Sequence, residues 1–386
     1  MKVLSVGVLC LSVVLWRNKH PLRQMLFKRE LPLVHYSGGA ASDCAVKIAP
    51  EFTFCEDATL WELRNTSEQR VLVSCDPGRK AWNTVLSPMV NPDPHGSLWV
   101  IDNVAATPRR LQLDNFPSQH DFHPLGVAIS PFHGDAPSNL FVVNHARKRS
   151  FIEQFTLSPG SSSATYIRTL TSPYFIAPNS ISLTSPNSFY LSNDHLLTRR
   201  LPFPLGNILP LIETVLTLPL AWVSHITLDP DPLALKPIVS HAFAAPFVPY
   251  ANGVAISPSG NKVAIASTSR SLVYIYARNE KTNALTQTAA VPVPFHPDNL
   301  EFDHSGELVV AGHPHFGSVL QVKSDPTAEA VAPSWVVSID QNNKVTTLFQ
   351  SNGTVFSTST TGLRDHDGHL FISGLYSQPG GVLACK

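Results

Sequence analysis

A strand–turn–strand pattern that recurs along the chain constrains the fold more than any other feature. Its clearest copy covers residues 295–314, where an acidic residue and an amide begin an apolar strand, a polar turn with glycine follows, and a second apolar strand ends in His-Pro. The related pieces are Cys55-Glu56-Asp57, His123-Pro124-Leu125-Gly126, Pro178-Asn179-Ser180, Tyr250-Ala251-Asn252-Gly253 and Thr360-Thr361-Gly362-Leu363. Six copies of the pattern predict six similar structural units.

The spacing of these units, about 50 to 70 residues, suits blades of roughly four strands with loops of unequal length. The chain has 33 prolines and only 15% charged residues, which favours many turns and few exposed helices. We therefore predict an all-β fold, a six-bladed β-propeller over residues 35–386. One segment, residues 206–220, breaks the pattern: its apolar spacing predicts an amphipathic helix between Pro210 and Pro219, which would either cap a mouth of the channel or cover a blade.

The charge balance excludes one class of partner. The chain has 28 Lys and Arg residues against 28 Asp and Glu residues, so it lacks the basic field that holds nucleic acid. We predict no nucleic-acid partner.

Residues 1–34 are predicted to form a leader that directs the chain into the secretory pathway. Lys2 is followed by about 14 mostly apolar residues, which is typical of a signal-peptide core and short for a membrane span. No small-x-small cleavage site follows, and five basic residues downstream suit an uncleaved segment held at a membrane. Both outcomes stay open: a secreted protein, or one anchored to the membrane with a lumenal propeller.

The cysteines fit an oxidising compartment. Cys10 lies in the leader, and the other four cysteines allow three pairings. Cys44 opens the folded region and Cys385 is the penultimate residue, so we favour a bond between these two that closes the chain on itself. The alternative is four buried free thiols, which the leader and the glycosylation sequons at Asn352 and Asn65 disfavour.

Oxygen-bearing side chains stand at the starts of the repeated strands. In a propeller the innermost strands begin at the same end of the central channel, so these side chains should converge although they are distant in sequence. Two carboxylates and three amides form an oxygen set that suits Ca²⁺, whereas zinc prefers His or Cys. Taken singly, each Asn or Asp could equally be a turn residue. The predicted ligands are Glu56, Asn179, Asn252, Asp298 and Asn299.

Together these motifs resemble those of the serum paraoxonase/arylesterase family of calcium-dependent lactonases. The resemblance covers nearly everything between Cys44 and Cys385. The motifs that carry it are Cys-Glu-Asp at 55–57, Val-Val-Asn-His at 142–145, Pro-Asn-x-Ile at 178–181, Phe-Tyr-x-x-Asn-Asp-His at 189–195, Leu-Ala-Trp at 220–222, Ala-Asn-Gly at 251–253, Asp-Asn at 298–299 and Asn-Gly-Thr-Val at 352–355.

By this resemblance, the five predicted ligands hold a catalytic calcium. A second, structural calcium of the family would use Asp57 and the backbone carbonyl of Val127. Its remaining acidic ligand falls at Ser180, where the family has Asp, and this substitution weakens the second site. The family's terminal disulfide corresponds to Cys44 and Cys385, in agreement with their positions near the two ends of the chain.

The resemblance also places the family's catalytic histidine at Leu125, which cannot accept a proton. His145 corresponds to the second active-site histidine, and Asp194-His195 to an acidic-His pair near the pocket. His123, two residues before Leu125, is a further candidate base, although a proline-stiffened turn or strand alternation would aim it elsewhere.

The predicted reaction is calcium-dependent hydrolysis of carboxylic esters, lactones or aryl esters, in which activated water attacks a polarised carbonyl. The resemblance also implies promiscuous hydrolysis of phosphotriesters. No Gly-x-Ser-x-Gly elbow occurs in the sequence, so no serine nucleophile is invoked. The alternative, which Leu125 favours, is a non-catalytic calcium-stabilised propeller that binds a lipophilic ligand or a partner. The predicted partners are a small ester or lactone and a lipid surface, which the leader and residues 206–220 would contact.

Overall fold

Short segments of alternating apolar and polar residues, separated by turns, fold into strands along most of the chain. The computed structural model describes residues 19–64, 68–86, 88–93 and 95–386. The helices in those ranges are α1 (Lys19–Leu26), α2 (Leu205–Val215) and α3 (Phe316–Ser324). The strands of the first half are β1 (Val34–Tyr36), β2 (Cys44–Lys47), β3 (Cys55–Glu62), β4 (Gln69–Cys75), β5 (Ser97–Ile101), β6 (Arg109–Arg110), β7 (Gln112–Asp114), β8 (Pro124–Ile129), β9 (Ser138–Asn144), β10 (Phe151–Leu157), β11 (Ser163–Leu170), β12 (Pro178–Ser185) and β13 (Ser188–Asn193). The strands of the second half are β14 (Ala221–Leu228), β15 (Ile238–Val248), β16 (Ala251–Ile256), β17 (Lys262–Ser267), β18 (Leu272–Arg278), β19 (Leu285–Pro292), β20 (His296–Phe302), β21 (Leu308–His313), β22 (Ser334–Ile339), β23 (Val345–Ser351), β24 (Ser359–Arg364), β25 (Leu370–Gly374) and β26 (Val382–Cys385).

Four separate sheets have the construction of propeller blades. Two contain four strands, in the orders β12-β13-β14-β15 and β16-β17-β18-β19. Two contain five strands, in the orders β8-β9-β10-β11-β7 and β20-β21-β22-β23-β1. In each sheet four consecutive strands pair antiparallel with their sequence neighbours, which is how a blade is built. The prediction of an all-β, propeller-like fold is confirmed.

The prediction of six separate blades needs a correction. The fifth sheet in the described part of the chain has eight strands, in the order β2-β26-β25-β3-β4-β5-β6 with β24 paired to β25. Its two halves are joined by a single pair, Gly374 with Cys55. The hydrogen bonding therefore gives four separate blade-like sheets rather than six, because the ends of β25 and β3 lie close enough to pair.

Six strands form the inner wall of the molecule. Their order around the ring is β3-β8-β12-β16-β20-β24. Each strand packs against the next one, and β24 packs against β3, which closes the ring. This ring encloses a central channel. Between the sheets lies an apolar core of fully buried side chains, including Leu140, Phe189 and Val310. The core fixes the ring, and the ring fixes the side chains that point into the channel.

The helix predicted between Pro210 and Pro219 lies nearer the N-terminus than expected, because α2 begins at Leu205 and ends at Val215. Helix α2 contains Pro210 in its interior, and the Thr214 hydroxyl donates a hydrogen bond of 3.0 Å to the Pro210 carbonyl. The helix ends at Val215 because Thr217 adopts a left-handed φ of 51° and Pro219 cannot continue a helix.

The predicted disulfide between the two ends of the chain is confirmed. Cys44 on β2 is bonded to Cys385 on β26. A second disulfide joins Cys55 on β3 to Cys75 on β4, a pairing that the sequence left open. Two disulfides fit an oxidising compartment.

Part of the predicted leader packs on the propeller. Helix α1 contacts α3, and the Gln24 side chain donates a hydrogen bond of 3.4 Å to the Val293 carbonyl. Residues 1–18, which carry the apolar run, and the sequon at Asn65 lie outside the described residues. Among the described residues, no helix is long and apolar enough to cross a lipid bilayer.

Candidate functional site

Each of the six ring strands carries an irregularity in its pairing close to its start. Such a bulge leaves residues unpaired and re-aims their side chains. The predicted ligands lie in these irregularities, so the bulges turn them toward the channel. The shifts fall between Cys55 and Asp57, Pro124 and Val127, Pro178 and Ile181, Ala251 and Val254, Pro297 and Leu300, and Ser359 and Gly362.

The structure brings the five predicted ligands together. Glu56, Asn179, Asn252 and Asp298 line one small cavity of about 30 Å³, and Asn299 is hydrogen-bonded to Glu56 beside it. All five side chains are buried, none more than 6% exposed. This volume holds an ion or a water molecule rather than an organic substrate. The residues that cover the cavity include Thr84, Leu86, Leu125, Phe316 and Leu375.

Hydrogen bonds orient the three amides in the same sense. The Nδ2 group of Asn299 donates to Glu56 Oε1 at 3.0 Å, that of Asn252 to Asp298 Oδ1 at 2.5 Å, and that of Asn179 to Asp194 Oδ2 at 3.1 Å. Each amide thus turns its nitrogen toward a carboxylate and leaves its carbonyl oxygen unused.

Among the residues that the structure describes, four buried oxygen atoms of this cluster have no hydrogen-bond partner: Oε2 of Glu56 and Oδ1 of Asn179, Asn252 and Asn299. Leaving one buried polar atom unsatisfied costs about 1–3 kcal/mol, so four together demand an explanation. A hard cation supplies one, because it would contact all four oxygens at once. The donor set therefore fits Ca²⁺.

The electrostatics of the cluster point the same way. Burial, together with the charges of Asp298 and Asp57, raises the pKa of Glu56 well above its ordinary value. Acidic groups crowded into a dry site repel one another unless a cation lies between them. A bound cation would therefore offset the electrostatic repulsion between the carboxylates of Glu56 and Asp298.

The residues predicted for a second calcium are occupied by hydrogen bonds instead. Asp57 Oδ2 accepts from the Val127 N–H at 2.9 Å, and Oδ1 accepts from the Ala58 N–H at 2.9 Å and the Thr361 hydroxyl at 3.0 Å. The Ser180 hydroxyl accepts from the Val254 N–H at 3.3 Å. Burial still raises the pKa of Asp57 to about 7. This set thus offers a cation no carboxylate oxygen that lacks a protein donor.

His145 lines the cavity, but both of its ring nitrogens are engaged. Nε2 donates to the Pro178 carbonyl at 2.7 Å, and Nδ1 accepts from the Thr84 hydroxyl at 3.3 Å. Burial lowers the pKa of His145 to about 4. At neutral pH this imidazole is an uncharged, weakly basic group that holds two segments together.

His123 lies away from the cavity, which Leu125 lines in its place. The Nδ1 group of His123 is 2.9 Å from Asp76 Oδ2, and its buried Nε2 atom has no hydrogen-bond partner among the described residues. The ring stands against Trp82 and His95, with centroids 5.8 and 5.6 Å away.

Asp194 connects the oxygen cluster to helix α2. One of its oxygens accepts from Asn179, and the other is 3.1 Å from His195 Nδ1. His195 Nε2 is in turn 2.8 Å from the hydroxyl of Thr214 on α2. The pair therefore orients the side chain of Asn179, one of the predicted ligands.

Comparison with known proteins decides the family. The model of the family described as Arylesterase matches residues 86–380. The chain belongs to the arylesterase family. Serum paraoxonase/arylesterase 2 of Homo sapiens is 27% identical over 291 residues, which are 74% of this chain and 76% of that protein. Serum paraoxonase/lactonase 3 of Oryctolagus cuniculus is 25% identical over 278 residues, 71% of this chain and 73% of that protein. A solved structure of a luciferin-regenerating enzyme shares the fold, with a TM-score of 0.51 at 13% identity over 88% of this chain and 94% of that one.

Sequence reasoning missed one residue of the site in this member of the arylesterase family. His313 lines the cavity, and its Nε2 group donates to Asp298 Oδ2 at 2.9 Å. Its Nδ1 atom is buried and has no hydrogen-bond partner within the described part of the chain. The sequence did place a His-Pro pair at the end of the strand that follows Asp298, and antiparallel pairing of β20 with β21 returns this end to the ligand set.

Proposed function

We propose that this protein is a calcium-dependent hydrolase of carboxylic esters, with lactones and aryl esters as substrates. The observation that carries the proposal is the group of four partnerless buried oxygens beside the Asp298 carboxylate. Membership of the arylesterase family supports the reaction class.

The residues that would hold Ca²⁺ are Glu56, Asn179, Asn252, Asp298 and Asn299. When bound, the ion supplies a Lewis acid that polarises the ester carbonyl and stabilises the charge that develops on its oxygen. One calcium site is proposed, because the carboxylate oxygens of Asp57 already accept hydrogen bonds from the protein.

The proton acceptor that the geometry favours is His313 rather than His145. Because Nε2 of His313 donates to Asp298, its Nδ1 atom carries the lone pair, and no donor from the described residues competes for it. Both nitrogens of His145 are occupied, and its low pKa makes it a poor base. We propose that His313 accepts a proton from the attacking water, while His145 and the Asp194–His195 pair hold the site in shape.

His123 has a ring nitrogen that could accept a proton, but this residue does not line the cavity that holds the oxygen cluster. For His123 to take part, its ring would have to reach past Leu125 into the cavity. We therefore assign it a structural role with Asp76, whose carboxylate fixes its orientation.

The wider setting of the reaction is also part of the proposal. We infer that the two halves of the eight-stranded sheet act as two blades, because the ring has six inner strands. The two disulfides and the serum relatives support passage through the secretory pathway and the predicted sequons. Leu205, Ile208 and Leu211 on α2 are exposed, which supports contact with a lipid surface.

A second candidate function rests on Leu125. Because this residue lines the cavity where the resemblance places a histidine, the cluster could serve only to stabilise a non-catalytic propeller that binds a lipophilic ligand or partner.

Hydrolysis of a lactone and of an aryl ester, measured with the calcium content of the protein, separates the two functions. We expect turnover that stops on chelation and returns when calcium is added back. Bound calcium without any turnover would instead support the non-catalytic function.

The choice of base has its own test. We expect His313→Gln to lower kcat by about 10²–10⁴-fold with calcium still bound, as loss of a positioned base does. His145→Gln should be milder. The reverse order would return the role to His145.

A further inference from the structure

Tyr250 lines the same small cavity as the predicted ligands. It lies in the turn that leads into β16, two residues before Asn252, and is only 7% exposed. Its ring packs against the ring of His195, with centroids 4.4 Å apart and planes at 73°. His195 is held in turn by Asp194 and by Thr214 on α2. The tyrosine ring therefore has a fixed place in the wall of the cavity.

The backbone of Tyr250 is unusual for an aromatic residue. Its φ is 48°, and it is the only residue lining the cavity, all of them within the described ranges, that has a left-handed backbone conformation. This conformation is disfavoured for a residue with a bulky side chain. Residues held in such conformations cluster at functional sites. The outlier therefore directs attention to the Tyr250 side chain.

The hydroxyl group of Tyr250 is an uncommitted hydrogen-bond donor. Within the described part of the chain, no hydrogen bond engages it. The other buried side chains that line the cavity and can donate already have acceptors in the protein: Thr84 donates to His145, His145 to the Pro178 carbonyl, Asn179 to Asp194, Asn252 and His313 to Asp298, and Thr268 to the Pro297 carbonyl. Of these side chains, Tyr250 alone keeps its donor group for a substrate.

The chemistry of ester hydrolysis indicates which substrate atom this donor serves. Negative charge develops on the carbonyl oxygen and on the oxygen of the departing alcohol. In the proposed function the carbonyl oxygen is stabilised at the calcium site, so the leaving oxygen is the atom that still needs a donor. A phenol has an ordinary pKa of about 10 and can donate at neutral pH. Donors placed where charge develops stabilise the transition state most strongly in a site that excludes water.

We propose that Tyr250 is a further catalytic residue, whose hydroxyl donates a hydrogen bond to the oxygen of the leaving alcohol. As the bond between the acyl carbon and this oxygen breaks, the electron pair stays on the oxygen. The proton that His313 took from the attacking water passes to it, and the alcohol leaves uncharged. Tyr250 keeps its own proton throughout. This role rests on the proposed function, because it requires that the protein hydrolyse esters.

The substitution Tyr250→Phe tests the role, because it removes the hydroxyl and keeps the ring against His195. The test compares δ-valerolactone, whose leaving alkoxide is a strong base, with p-nitrophenyl acetate, whose leaving phenoxide is stable without a donor. We expect kcat for the lactone to fall by about 10²-fold, as the loss of one such donor causes, and kcat for p-nitrophenyl acetate to stay within about threefold of wild type. Tyr276→Phe, the same change at a buried tyrosine that does not line the cavity, should leave both rates unchanged.

Calcium titration of the same variants separates the catalytic role from a structural one. We expect Tyr250→Phe to bind calcium with wild-type affinity, since it removes none of the proposed ligands. The role is overturned if both substrates slow by the same factor, if neither slows, or if the variant loses calcium binding. A Tyr250→Phe protein that fails to fold would show that the hydroxyl supports the structure, which also overturns the role. Failure of the proposed function has a different signature, because wild type itself would then hydrolyse neither substrate.

Discussion

The carboxylates of Glu56 and Asp298 carry the negative charge of the proposed calcium site. Removing either charge should therefore weaken calcium binding more than any other single substitution in the site. We expect Glu56→Gln and Asp298→Asn to weaken calcium binding by more than the roughly 10–100-fold that loss of an outer partner causes. Ester hydrolysis should fall below detection in both. Calcium titration and a lactone assay measure these effects, with the exposed Asp135→Asn as the matched control. Full activity of Asp298→Asn in chelator would show that the site and the reaction are unrelated.

The buried imidazole of His145 makes stability depend on pH. Its folded pKa of about 4 lies below the unfolded value of about 6.5, so the unfolded state binds more protons between these values. Stability is therefore lost as the pH falls from 6.5 toward 4, by about 2 kcal/mol between pH 7 and pH 5. Urea unfolding at the two pH values should show a smaller loss in His145→Gln than in wild type. The exposed His133→Gln should keep the wild-type loss, and an unchanged loss in His145→Gln would contradict the assignment.

At this scale the sequence predicted which oxygen-bearing side chains would converge, but it did not predict what the histidine nitrogens would contact. Asn and Asp residues at the starts of repeated strands can be recognised from the sequence alone, because each repeat places its own copy at the channel. The role of a histidine depends on what its second nitrogen contacts. His145 meets Pro178 and Thr84 only through the fold, and His313 meets Asp298 only through strand pairing.

Two glycines let neighbouring ring strands approach where the ligands lie. A Cβ on Gly253 would stand 2.8 Å from the Asp298 carbonyl and the Asn299 Cα, and one on Gly126 would stand 2.0 Å from the Asn179 carbonyl. These contacts are with backbone atoms, which cannot move aside without shifting the ligands themselves. The glycines therefore set the spacing of the predicted ligands.

Gly253→Ala should consequently affect both stability and metal binding. We expect a loss of about 1–3 kcal/mol from overpacking, together with weaker calcium binding because β16 and β20 must separate. Gly134→Ala is the control, since a Cβ there meets nothing within 4 Å although its φ of 87° carries a conformational cost. Chemical unfolding and calcium titration measure the two effects. A Gly253→Ala protein that loses stability but binds calcium normally would refute the link between spacing and site.

The strands and helices could be predicted from the sequence only in part. Alternating apolar residues and glycine turns predicted the strand pairs, such as β16 with β17 and β20 with β21. The β-bulges could not be predicted from the sequence, because a register shift depends on the partner strand as much as on the bulged strand. The end of helix α2 was misplaced because the left-handed conformation of Thr217 is imposed by its surroundings rather than by its side chain.

At the scale of the whole molecule, the chain closes through its own ends. Strand β2, from the N-terminal part, completes the half-sheet formed by β24, β25 and β26. The six repeats predicted a ring. The merging of two neighbouring units into one eight-stranded sheet could not be predicted, since it depends on a single pair between Gly374 and Cys55.

The two disulfides should contribute differently to this closed structure. The bond between Cys44 and Cys385 spans 341 residues, and that between Cys55 and Cys75 spans 20. In the chain-entropy model the longer loop is worth about 6 kcal/mol and the shorter about 3 kcal/mol. We therefore expect the double variant Cys44→Ala/Cys385→Ala to lose more unfolding free energy in urea than Cys55→Ala/Cys75→Ala.

Calcium binding should rank the same two variants in the opposite order. Cys55 immediately precedes the bulge that presents Glu56, and its bond to Cys75 pins one side of that bulge. The Cys44–Cys385 bond joins β2 to β26 at the closure and is not adjacent to a predicted ligand. Loss of the short bond should therefore weaken calcium binding, while loss of the long bond should leave the affinity of the folded protein near wild type. If both variants lose stability and calcium affinity in the same order, the closure and the site form one cooperative unit, and the division of roles argued here is wrong.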